Sequence, residues 1–287
     1  MKKRVLIIYD MVGMAEVRGG AKPNIFAKEY PELEIAADEI RYDEVVVDWS
    51  DLEGRVWLKN ERRVEDYDLV YMRATGGSQL AMMLGKVVKI DFFPKFYVNE
   101  VYYPSKAVQL DNLVKEKLSA IPAVVGYGAG LLNYIAAHES LWTGETIVKP
   151  NIGAKGRGVR RAANRGELIE MLRERQGEFL IWQPLIESEG EGRCLVLGGE
   201  VRWSAWRDGE MRRLKKWEAS EEVKKMAGRA AEANGLEAAG VDLMFDKKKQ
   251  RWVILEVNTA AGFRTFDRVT GEKTDELLMR YLCQQLA

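Results

Sequence analysis

Two apolar segments near the C-terminus carry side chains that could bind a metal ion. Asp242 lies in the first segment, and Glu256 and Asn258 lie in the second, with Glu256 fourteen positions after Asp242. If residues 247–249 form the turn of an antiparallel hairpin, even-numbered positions of both strands share one face. The opposite face then holds only apolar residues, namely Val241, Leu243, Phe245, Val253, Leu255 and Val257. Two carboxylates and an amide oxygen suit Mg²⁺ shared with phosphate oxygens, whereas a half-solvated hairpin is the alternative.

A glycine-rich segment follows a lysine in the middle of the chain. Lys149 precedes Gly153, Gly156 and Gly158, which are spaced by two or three residues. Such spacing lets backbone N–H groups turn inward around an anion, and the lysine places a positive charge beside it. No Gly-Lys-Ser or Gly-Lys-Thr ends the segment, so it is not a Walker A loop. An ordinary flexible turn is the alternative interpretation.

A third segment combines an apolar strand with charged residues. Residues 180–186 are mostly apolar, and Glu191 and Arg193 follow. The strand could offer backbone groups to an adenine edge, Glu191 could accept from ribose hydroxyls, and Arg193 could meet phosphate charge. Without the other two segments, this one predicts only a buried strand and a polar loop.

The composition excludes several classes of protein. Lysine plus arginine and aspartate plus glutamate each number 44 in 287 residues, so no basic excess indicates a nucleic acid or a membrane surface as partner. His138 is the single histidine, and the two cysteines, Cys194 and Cys283, show no metal-ligand spacing. A Ser/His/Asp hydrolase or a histidine-ligated zinc site is therefore not expected.

The first residues do not predict a signal peptide. The apolar run 5–9 is short and ends at Asp10, so we expect a first buried strand. Apolar runs of about 18 residues, long enough to span a membrane, are absent from the sequence. We therefore expect a cytoplasmic protein.

The elements that must position these residues follow from hydrophobic periodicity. Strands are predicted in the N-terminal part at 5–9, 44–48, 55–58, 69–72 and 96–99, with a helix at 78–88. Later strands are predicted at 145–149, 158–161, 179–183, 193–197, 200–205, 240–245 and 252–258. Later helices are predicted at 106–118, 165–175, 220–234 and 274–286. The pattern indicates an α+β fold with an α/β N-terminal domain at 1–104 and two further lobes at 105–185 and 186–287.

From about residue 99 onward, the ordered motifs resemble the ATP-grasp superfamily, most closely its RimK-like and glutathione-synthetase-like ligases. The matching motifs are Ser105-Lys106, Val148-Lys149-Pro150, the loop 153–158, Gln183, Glu191-x-Arg193, Gly240-Val241-Asp242, Glu256-Val257-Asn258 and Gly262. The resemblance implies an ATP-grasp fold, in which ATP is held between two α+β lobes.

The resemblance also implies roles for individual residues. The ATP-binding residues would be Lys106 and Lys149 at the phosphates, Gly153, Gly156 and Gly158 in the closing loop, Gln183, Pro184 and Leu185 at the adenine, and Glu191 at the ribose. Asp242, Glu256 and Asn258 would hold two Mg²⁺ ions, with Mn²⁺ as an expected substitute. Arg193, Arg207 and Arg212 would neutralise the transferred phosphoryl group.

The implied reaction joins a small-molecule or peptide carboxylate to an amine, such as an amino acid, through an acyl phosphate. A kinase with the same fold and a non-catalytic nucleotide-binding module are the alternatives. Residues 211–217 lack the asparagine of the Arg-x-Asn element usual in RimK-like ligases, so the acceptor does not follow from the resemblance. Arg73 could hold a substrate carboxylate, or it could be an exposed arginine at a strand end. A homo-oligomer is compatible with the sequence.

Overall fold

The computed structural model describes residues 2–9, 28–48, 50, 55–60, 62–73, 83–85, 87–88, 91–93, 105–153, 156–208, 214–259 and 263–285. Within these ranges no helix is long and apolar enough to cross a membrane. The predicted strand at 96–99 and most of the predicted helix at 78–88 lie outside the described residues.

The N-terminal part is built on a largely parallel sheet. Its strands are β1 (Lys3–Tyr9), β2 (Glu29–Tyr30), β3 (Ile35–Arg41), β6 (Leu69–Arg73) and β7 (Asp91–Phe93), in the order β2-β3-β1-β6-β7. A separate hairpin pairs β4 (Val45–Asp48) with β5 (Arg55–Leu58). Short 3₁₀ turns lie at Pro31–Leu33, Tyr42–Glu44 and Val64–Asp66. β1 is buried on both faces, as expected for a central parallel strand, which explains its unbroken apolar sequence.

The middle of the chain forms a four-stranded antiparallel sheet. Its strands are β8 (Val124–Tyr127), β9 (Thr146–Pro150), β10 (Arg160–Ala162) and β11 (Phe179–Pro184), in the order β10-β9-β11-β8. Helices α2 (Gly128–Ala137) and α3 (Arg165–Glu174) pack on it. The shared core consists of Leu131, Ile135, Val148, Ala162, Leu168, Met171, Leu172, Leu180 and Trp182.

The C-terminal part is a five-stranded antiparallel sheet. Its strands are β12 (Gly190–Leu197), β13 (Glu200–Asp208), β14 (Leu214–Lys216), β15 (Ala238–Asp246) and β16 (Arg251–Asn258), in the order β14-β13-β12-β15-β16. Helix α4 (Glu221–Ala233) shares a core with Cys194, Val196, Val241 and Leu243 on one face of this sheet. Helices α5 (Phe263–Thr270) and α6 (Thr274–Gln285) follow.

The opposite face of the C-terminal sheet is apolar at one end. There Leu195 and Leu197 share a core with Val5 and Ile7 of β1 and with Leu278 of α6. The other end of that face carries the polar side chains of the predicted site. The N-terminal sheet therefore shares a core with the apolar end of this face, and the polar side chains lie beyond that core at the other end.

A β-bulge corrects the predicted register of the hairpin. Asp242 pairs with Glu256, so the two side chains share a face as predicted, but Leu243 pairs with Ile254 and not with Leu255. The extra residue in β16 reverses its side-chain alternation. The prediction that Val253 and Leu255 share the core face with Val241 is therefore wrong, and Ile254 takes that place in the core.

Helix α1 (Lys106–Lys115) connects the middle and C-terminal sheets. Its N-cap Ser105 accepts from the Val108 N–H at 3.2 Å and donates from Oγ to Asn151 Oδ1 at 2.9 Å. One turn further on, Gln109 Oε1 accepts from the Val257 N–H of β16 at 3.3 Å. The helix therefore fixes how the loop after β9 sits relative to β16.

Candidate active site

The strand register places three charged side chains in one row across the C-terminal sheet. Arg193 of β12 lies opposite Asp242 of β15, and Asp242 lies opposite Glu256 of β16. Side chains at directly paired positions stand on the same face about 5 Å apart, so the row is continuous. The sequence prediction that Asp242, Glu256 and Asn258 lie together is borne out by these positions, with Asn258 opposite Gly240.

Asp242 is the most enclosed member of the row. It is 6% exposed and accepts from Arg193 Nε at 2.6 Å and Nη2 at 2.5 Å. Asn258 Nδ2 donates to its second oxygen at 3.0 Å. A buried carboxylate requires such pairing, because an uncompensated charge in the interior is strongly unfavourable.

A second pair lies beside this row. Arg207 of β13 is opposite Glu191 of β12, and Arg207 Nη1 donates to Glu191 Oε2 at 3.2 Å. Burial raises the pKa of Glu191, the nearby Asp242 raises it further, and Arg207 opposes the shift. Two of the three arginines predicted to neutralise phosphoryl charge, Arg193 and Arg207, therefore each hold a carboxylate of the same face.

A tryptophan on the other face explains the glycine between Glu191 and Arg193. A Cβ on Gly192 would lie 2.5 Å from the Trp217 ring. Only glycine allows this close approach, which lets the indole cover the strand directly behind the two charged residues.

Two lysines face the acidic row from the middle of the chain. Lys106 Nζ lies 3.0 Å from Glu256 Oε1 and donates to the Gly153 carbonyl oxygen at 2.7 Å. Burial lowers the pKa of Lys149 to about 8, with Glu256 opposing the shift and Lys106 adding to it. Both lysines line one pocket together with Gln183 and Glu256. The pocket is thus lined by one lysine of α1, one lysine of β9 and one carboxylate of β16.

The glycine-rich segment forms a turn next to this pocket. Gly156 and Gly158 adopt φ of +71° and +74°, a region that favours glycine, and the Val159 N–H donates to the Gly156 carbonyl at 3.2 Å. Gly153 and the turn 156–158 are exposed. An exposed turn of this kind can direct N–H groups toward an anion.

The predicted adenine segment is at the end of β11. Gln183 is buried, lines the pocket and donates from Nε2 to the Ile121 carbonyl at 3.2 Å. The Leu185 N–H is bonded to the Glu145 carbonyl at 2.9 Å, so this N–H is already engaged within the protein. Pro184 pairs with Thr146 of β9.

One predicted site residue, Arg212, and Gly262 of the matching motifs cannot be placed. Arg212 and Gly262 lie outside the described residues, and for Arg73 only the backbone, at the end of β6 opposite Tyr9, is described.

The donor set fits a hard divalent cation bound together with phosphate. Within the described ranges no three histidine, cysteine or acidic side chains group closely enough to form a metal site by themselves. Asp242, Glu256 and Asn258 instead provide two carboxylates and one amide oxygen, because Asn258 gives its Nδ2 to Asp242 and keeps Oδ1 as its acceptor. Mg²⁺ is typically held by one or two carboxylates and completed by substrate phosphate and water.

The sequence analysis missed two residues that hold the site together. Asn151 accepts at Oδ1 from Ser105 Oγ and from the Ala107 N–H at 3.0 Å, which fixes the start of α1 beside the glycine segment. Gln109 connects the same helix to β16. Serine before an apolar helical pattern was the available signal for the cap, but no local pattern indicates its long-range partners.

Comparison with known proteins agrees with this geometry. A family model described as the RimK-like ATP-grasp domain matches residues 133–282. A probable alpha-L-glutamate ligase of Xylella fastidiosa (strain M12) is 32% identical over 156 residues, which cover 49% of this chain and 51% of that protein. The chain thus spans about half the length of this relative. A probable alpha-L-glutamate ligase of Cellvibrio japonicus (strain Ueda107) is 27% identical over 261 residues, 82% of each chain.

Solved structures show the same fold over nearly the whole chain. The ATP-grasp ligase PsnB, complexed with a phosphomimetic variant of a minimal precursor, Mg and ADP, aligns with a TM-score of 0.68 at 17% identity, covering 100% of this chain and 99% of that one. A RimK domain ATP-grasp protein from Sphaerobacter thermophilus DSM 20745 aligns with a TM-score of 0.71 at 12% identity, covering 97% and 98%. The predicted α+β class and ATP-grasp fold are confirmed, and the chain belongs to the RimK-like ATP-grasp domain family.

Proposed function

We propose that this chain is an ATP-dependent carboxylate–amine ligase that forms an amide or peptide bond through an acyl phosphate. The observation that carries the proposal is that Lys106 and Lys149 line one pocket with Glu256, which lies directly beside the Arg193–Asp242 pair in the strand register. This arrangement suits a polyphosphate bound with a divalent cation, and it offers no histidine or cysteine nucleophile among the residues that line it. Family membership and the ligase names of the relatives support the same reaction class.

L-Glutamate is the amine that we propose first. The curated relatives are named as probable alpha-L-glutamate ligases, in Xylella fastidiosa and in Cellvibrio japonicus alike. The acceptor would be a peptide or a small molecule with a carboxylate, since PsnB was solved with a precursor and other neighbours of the fold act as amino-acid ligases by name.

We assign the phosphates of ATP to the lysines and the glycine turn. Lys106 and Lys149 would neutralise phosphate charge, and Gly153, Gly156 and Gly158 would bring backbone N–H groups close. Lys149 suits this role because burial lowers its pKa to about 8, and the negative charge of a bound phosphate would raise that pKa and favour the ammonium form. Gln183, Pro184 and Leu185 would line the adenine, and Glu191 would accept from the ribose.

We assign Mg²⁺ to Asp242, Glu256 and Asn258, with two ions and with Mn²⁺ as a substitute. The cation would supply charge neutralisation at the phosphate oxygens. Lys106 Nζ contacts Glu256 Oε1 at 3.0 Å, and this contact positions both the lysine and the proposed metal ligand. Both oxygens of Asp242 are occupied by Arg193 and Asn258, so a bound cation would compete with these partners.

In the proposed reaction, a carboxylate oxygen of the acceptor attacks the γ-phosphorus and the bond to the β-phosphate oxygen breaks, so ADP leaves. The amine nitrogen then attacks the carbonyl carbon of the acyl phosphate. The tetrahedral intermediate expels inorganic phosphate, and the nitrogen loses a proton to give the amide. Arg193, Arg207 and Arg212 would stabilise the charge on the transferred group, so catalysis rests on positioning and electrostatics.

We also propose a division of labour along the chain. Residues 105–185 and 186–287 would form the two lobes around ATP, and residues 1–104 would serve the substrate side. Arg73 lies at the carboxyl end of β6, where a guanidinium could meet the acceptor carboxylate.

The test measures ADP release by the purified protein with ATP, Mg²⁺, L-glutamate and a panel of carboxylic acids and short acidic peptides. Mass spectrometry should find a product lighter by one water than the sum of acid and amine. Phosphorylated acceptor formed without any amine would support a kinase instead. Binding of Mg-ATP with no turnover for any pair of the panel, and no phosphorylated product, would count against a ligase acting on these substrates.

A matched pair of variants ties the activity to the site. Glu256→Gln removes a proposed metal ligand and should reduce turnover by at least about a hundredfold, a loss typical of removing a group that stabilises charge in the transition state. Glu222→Gln makes the same chemical change on the exposed start of α4 and should leave turnover unchanged. Equal turnover of both variants would exclude the site described above.

A further inference from the structure

Two cationic side chains hold the two ends of the glycine segment. At its start, Lys106 Nζ donates to the Gly153 carbonyl at 2.7 Å. At its end, Arg175 Nη1 donates to the Gly158 carbonyl at 3.0 Å. Lys106 belongs to the predicted site, whereas Arg175 follows α3 and is not among the predicted site residues. The end of the segment is therefore fixed by a residue outside the pocket.

The guanidinium of Arg175 is fully engaged by the protein. Its side chain is only 9% exposed, and its Nε and Nη2 donate to the two oxygens of Glu178 at 3.1 and 2.7 Å. This forked pairing orients the plane of the guanidinium, so the remaining Nη1 points in one direction. A lysine could reach one carbonyl but could not be oriented in the same way.

The turn that carries Arg175 is itself fixed. The N–H groups of Gly128 and Ala129, at the start of α2, donate to the carbonyls of Glu178 and Gln176 at 3.0 and 3.2 Å. A Cβ on Gly128 would lie 2.3 Å from the Arg175 carbonyl oxygen, so the helix start packs against this turn without any gap. Arg175 thus projects from a rigid support made by α2 and α3.

The receiving end is shaped to match. Gly158 has φ of +74°, and a Cβ there would lie 3.1 Å from Pro150 Cγ and 3.6 Å from Arg175 Nη2. Pro150 directly follows Lys149 in the chain. The carbonyl that Arg175 holds therefore belongs to a turn that packs against the strand of the proposed phosphate-binding lysine.

We infer that Arg175 is a positioning residue for nucleotide binding, which fixes the turn at Gly156–Gly158 in the orientation that receives phosphate. The inference rests on the proposed function, because it takes the glycine segment as the phosphate site. Arg175 would not touch ATP. It holds the turn in place before ATP arrives, so ATP does not have to order that turn at the expense of its own binding energy.

The test compares Arg175→Gln with Arg173→Gln. Arg173 is a matched control, since it is two residues away on α3 and exposed, and its only ion pair among the described residues is with Glu170 of its own helix. Loss of one charge-assisted hydrogen bond should raise the Kd and the KM for Mg-ATP by about tenfold in Arg175→Gln, with kcat changed by less than about twofold. Arg173→Gln should match the wild type in all three.

Limited digestion with trypsin gives a second readout without turnover. Cleavage after the exposed Arg157, followed by mass spectrometry, should be faster in Arg175→Gln and normal in Arg173→Gln. Arg175→Lys should recover part of the affinity for Mg-ATP, because an ammonium can still donate to the Gly158 carbonyl. A purely structural role would lower the melting temperature and the yield, without moving KM apart from kcat.

The outcomes separate this inference from the proposed function. Unchanged Kd and unchanged cleavage at Arg157 in a folded Arg175→Gln protein would overturn the positioning role, whatever the ligase assay shows. Normal Mg-ATP binding by the wild type with no ligase product would count against the proposed function alone, and the Kd comparison would still decide the role of Arg175. If Arg175→Gln does not fold, Glu178→Gln should show a smaller shift of Kd in the same direction, and no shift in that variant would overturn the inference.

Discussion

Arg193 and Asp242 face each other across β12 and β15, and the guanidinium grips both carboxylate oxygens at 2.6 and 2.5 Å. The same carboxylate is a proposed Mg²⁺ ligand. Without metal, Arg193 is thus the main partner of Asp242, and a bound cation would compete with Arg193 for this carboxylate. The proposed assignment therefore predicts that stability and metal binding are coupled at this pair, and the coupling can be measured.

Arg193→Met should therefore destabilise the metal-free protein and increase its response to Mg²⁺. The change leaves a carboxylate that is 6% exposed without its main partner, and such a loss lowers the free energy of unfolding by about 3–5 kcal/mol. Mg²⁺ would then neutralise Asp242 without displacing a guanidinium. Thermal melts with and without MgCl₂ should show a larger Mg²⁺-dependent rise in Tm for the variant than for the wild type.

Arg207→Met is the matched control for that experiment. Arg207 and Glu191 are each about one-third exposed, with side chains at 33% and 32%, so their pair is worth at most about 1 kcal/mol. Glu191 is not a proposed metal ligand, and the Mg²⁺-dependent rise in Tm should equal that of the wild type. A larger rise in this control, or none in Arg193→Met, would contradict competition at Asp242.

Lys149 should take up a proton when Mg-ATP binds. Burial lowers its pKa to about 8, so at pH 8.5–9 the amine of the nucleotide-free protein is mostly neutral. Phosphate charge favours the ammonium form and should draw a proton from the buffer. Titration calorimetry at about pH 8.5, in buffers of different ionisation enthalpy, should report this uptake, and affinity for Mg-ATP should fall as pH rises above 8.

The same pKa gives a prediction about stability. The pKa of Lys149 in the folded chain lies below the usual lysine value of 10.5, so between about pH 8 and 10.5 the unfolded chain holds a proton that the folded chain has lost. In that window this group makes stability rise with pH, and below pH 8 its burial penalty is fully present. Lys149→Met should therefore raise the free energy of unfolding at pH 7 by about 1–3 kcal/mol while weakening Mg-ATP binding.

Lys149→Arg is the control for the proton uptake. Arginine stays charged, so the enthalpy of Mg-ATP binding to this variant should not depend on the ionisation enthalpy of the buffer. Glu256→Gln supplies an internal check, because Glu256 raises the pKa of Lys149 and its removal should lower that pKa further. If the wild type gave the same binding enthalpy in all buffers, Lys149 would already be protonated at pH 8.5 before Mg-ATP binds.

Gln109→Met should weaken the edge of the C-terminal sheet. β16 is the last strand of that sheet, and Gln109 Oε1 accepts from its Val257 N–H at 3.3 Å. A buried N–H without an acceptor lowers the free energy of unfolding by about 1–3 kcal/mol, measured by urea unfolding. Val257 lies between Glu256 and Asn258, so affinity for Mg²⁺-ATP should fall as well.

Lys115→Met, at the exposed end of the same helix, controls for the change of side chain. Its only described ion pair is with Asp111 of the same helix, and its effect on unfolding should stay within about 0.5 kcal/mol. If both variants were equally stable, water or a shifted helix would be satisfying the Val257 N–H.

The local pattern of the hairpin predicted which polar side chains share a face but not the whole register. Asp242 does face Glu256, because alternation near those residues is clear on both strands. Beyond them, Val253, Ile254 and Leu255 are all apolar, so alternation cannot locate an extra residue in β16. The bulge is decided by packing, since Ile254 fills the core beside Leu243.

Other elements were missed because tertiary contacts override local propensity. Helix α2 begins with Gly128 and Gly130, which are poor helix formers, and it is fixed by the turn after α3. Strand β3 is rich in alanine and acidic residues, and it forms by parallel pairing with β1. The link from Lys106 to Gly153 spans 47 residues of chain, so spacing alone could name both residues without bringing them together.

Alanine substitutions at two glycines should separate backbone strain from packing. Gly156 and Gly158 have nearly equal φ, +71° and +74°, so alanine at either pays a similar conformational penalty of about 1–2 kcal/mol. At Gly156 no atom of the described residues, chain neighbours aside, lies within 4 Å of the added Cβ, whereas at Gly158 it would meet Pro150 Cγ at 3.1 Å. Gly158→Ala should therefore destabilise the protein more in urea unfolding and weaken Mg-ATP binding more in calorimetry. Equal effects of the two variants would mean that Pro150 moves aside, and that left-handed backbone geometry, not contact with the strand of Lys149, determines the shape of this turn.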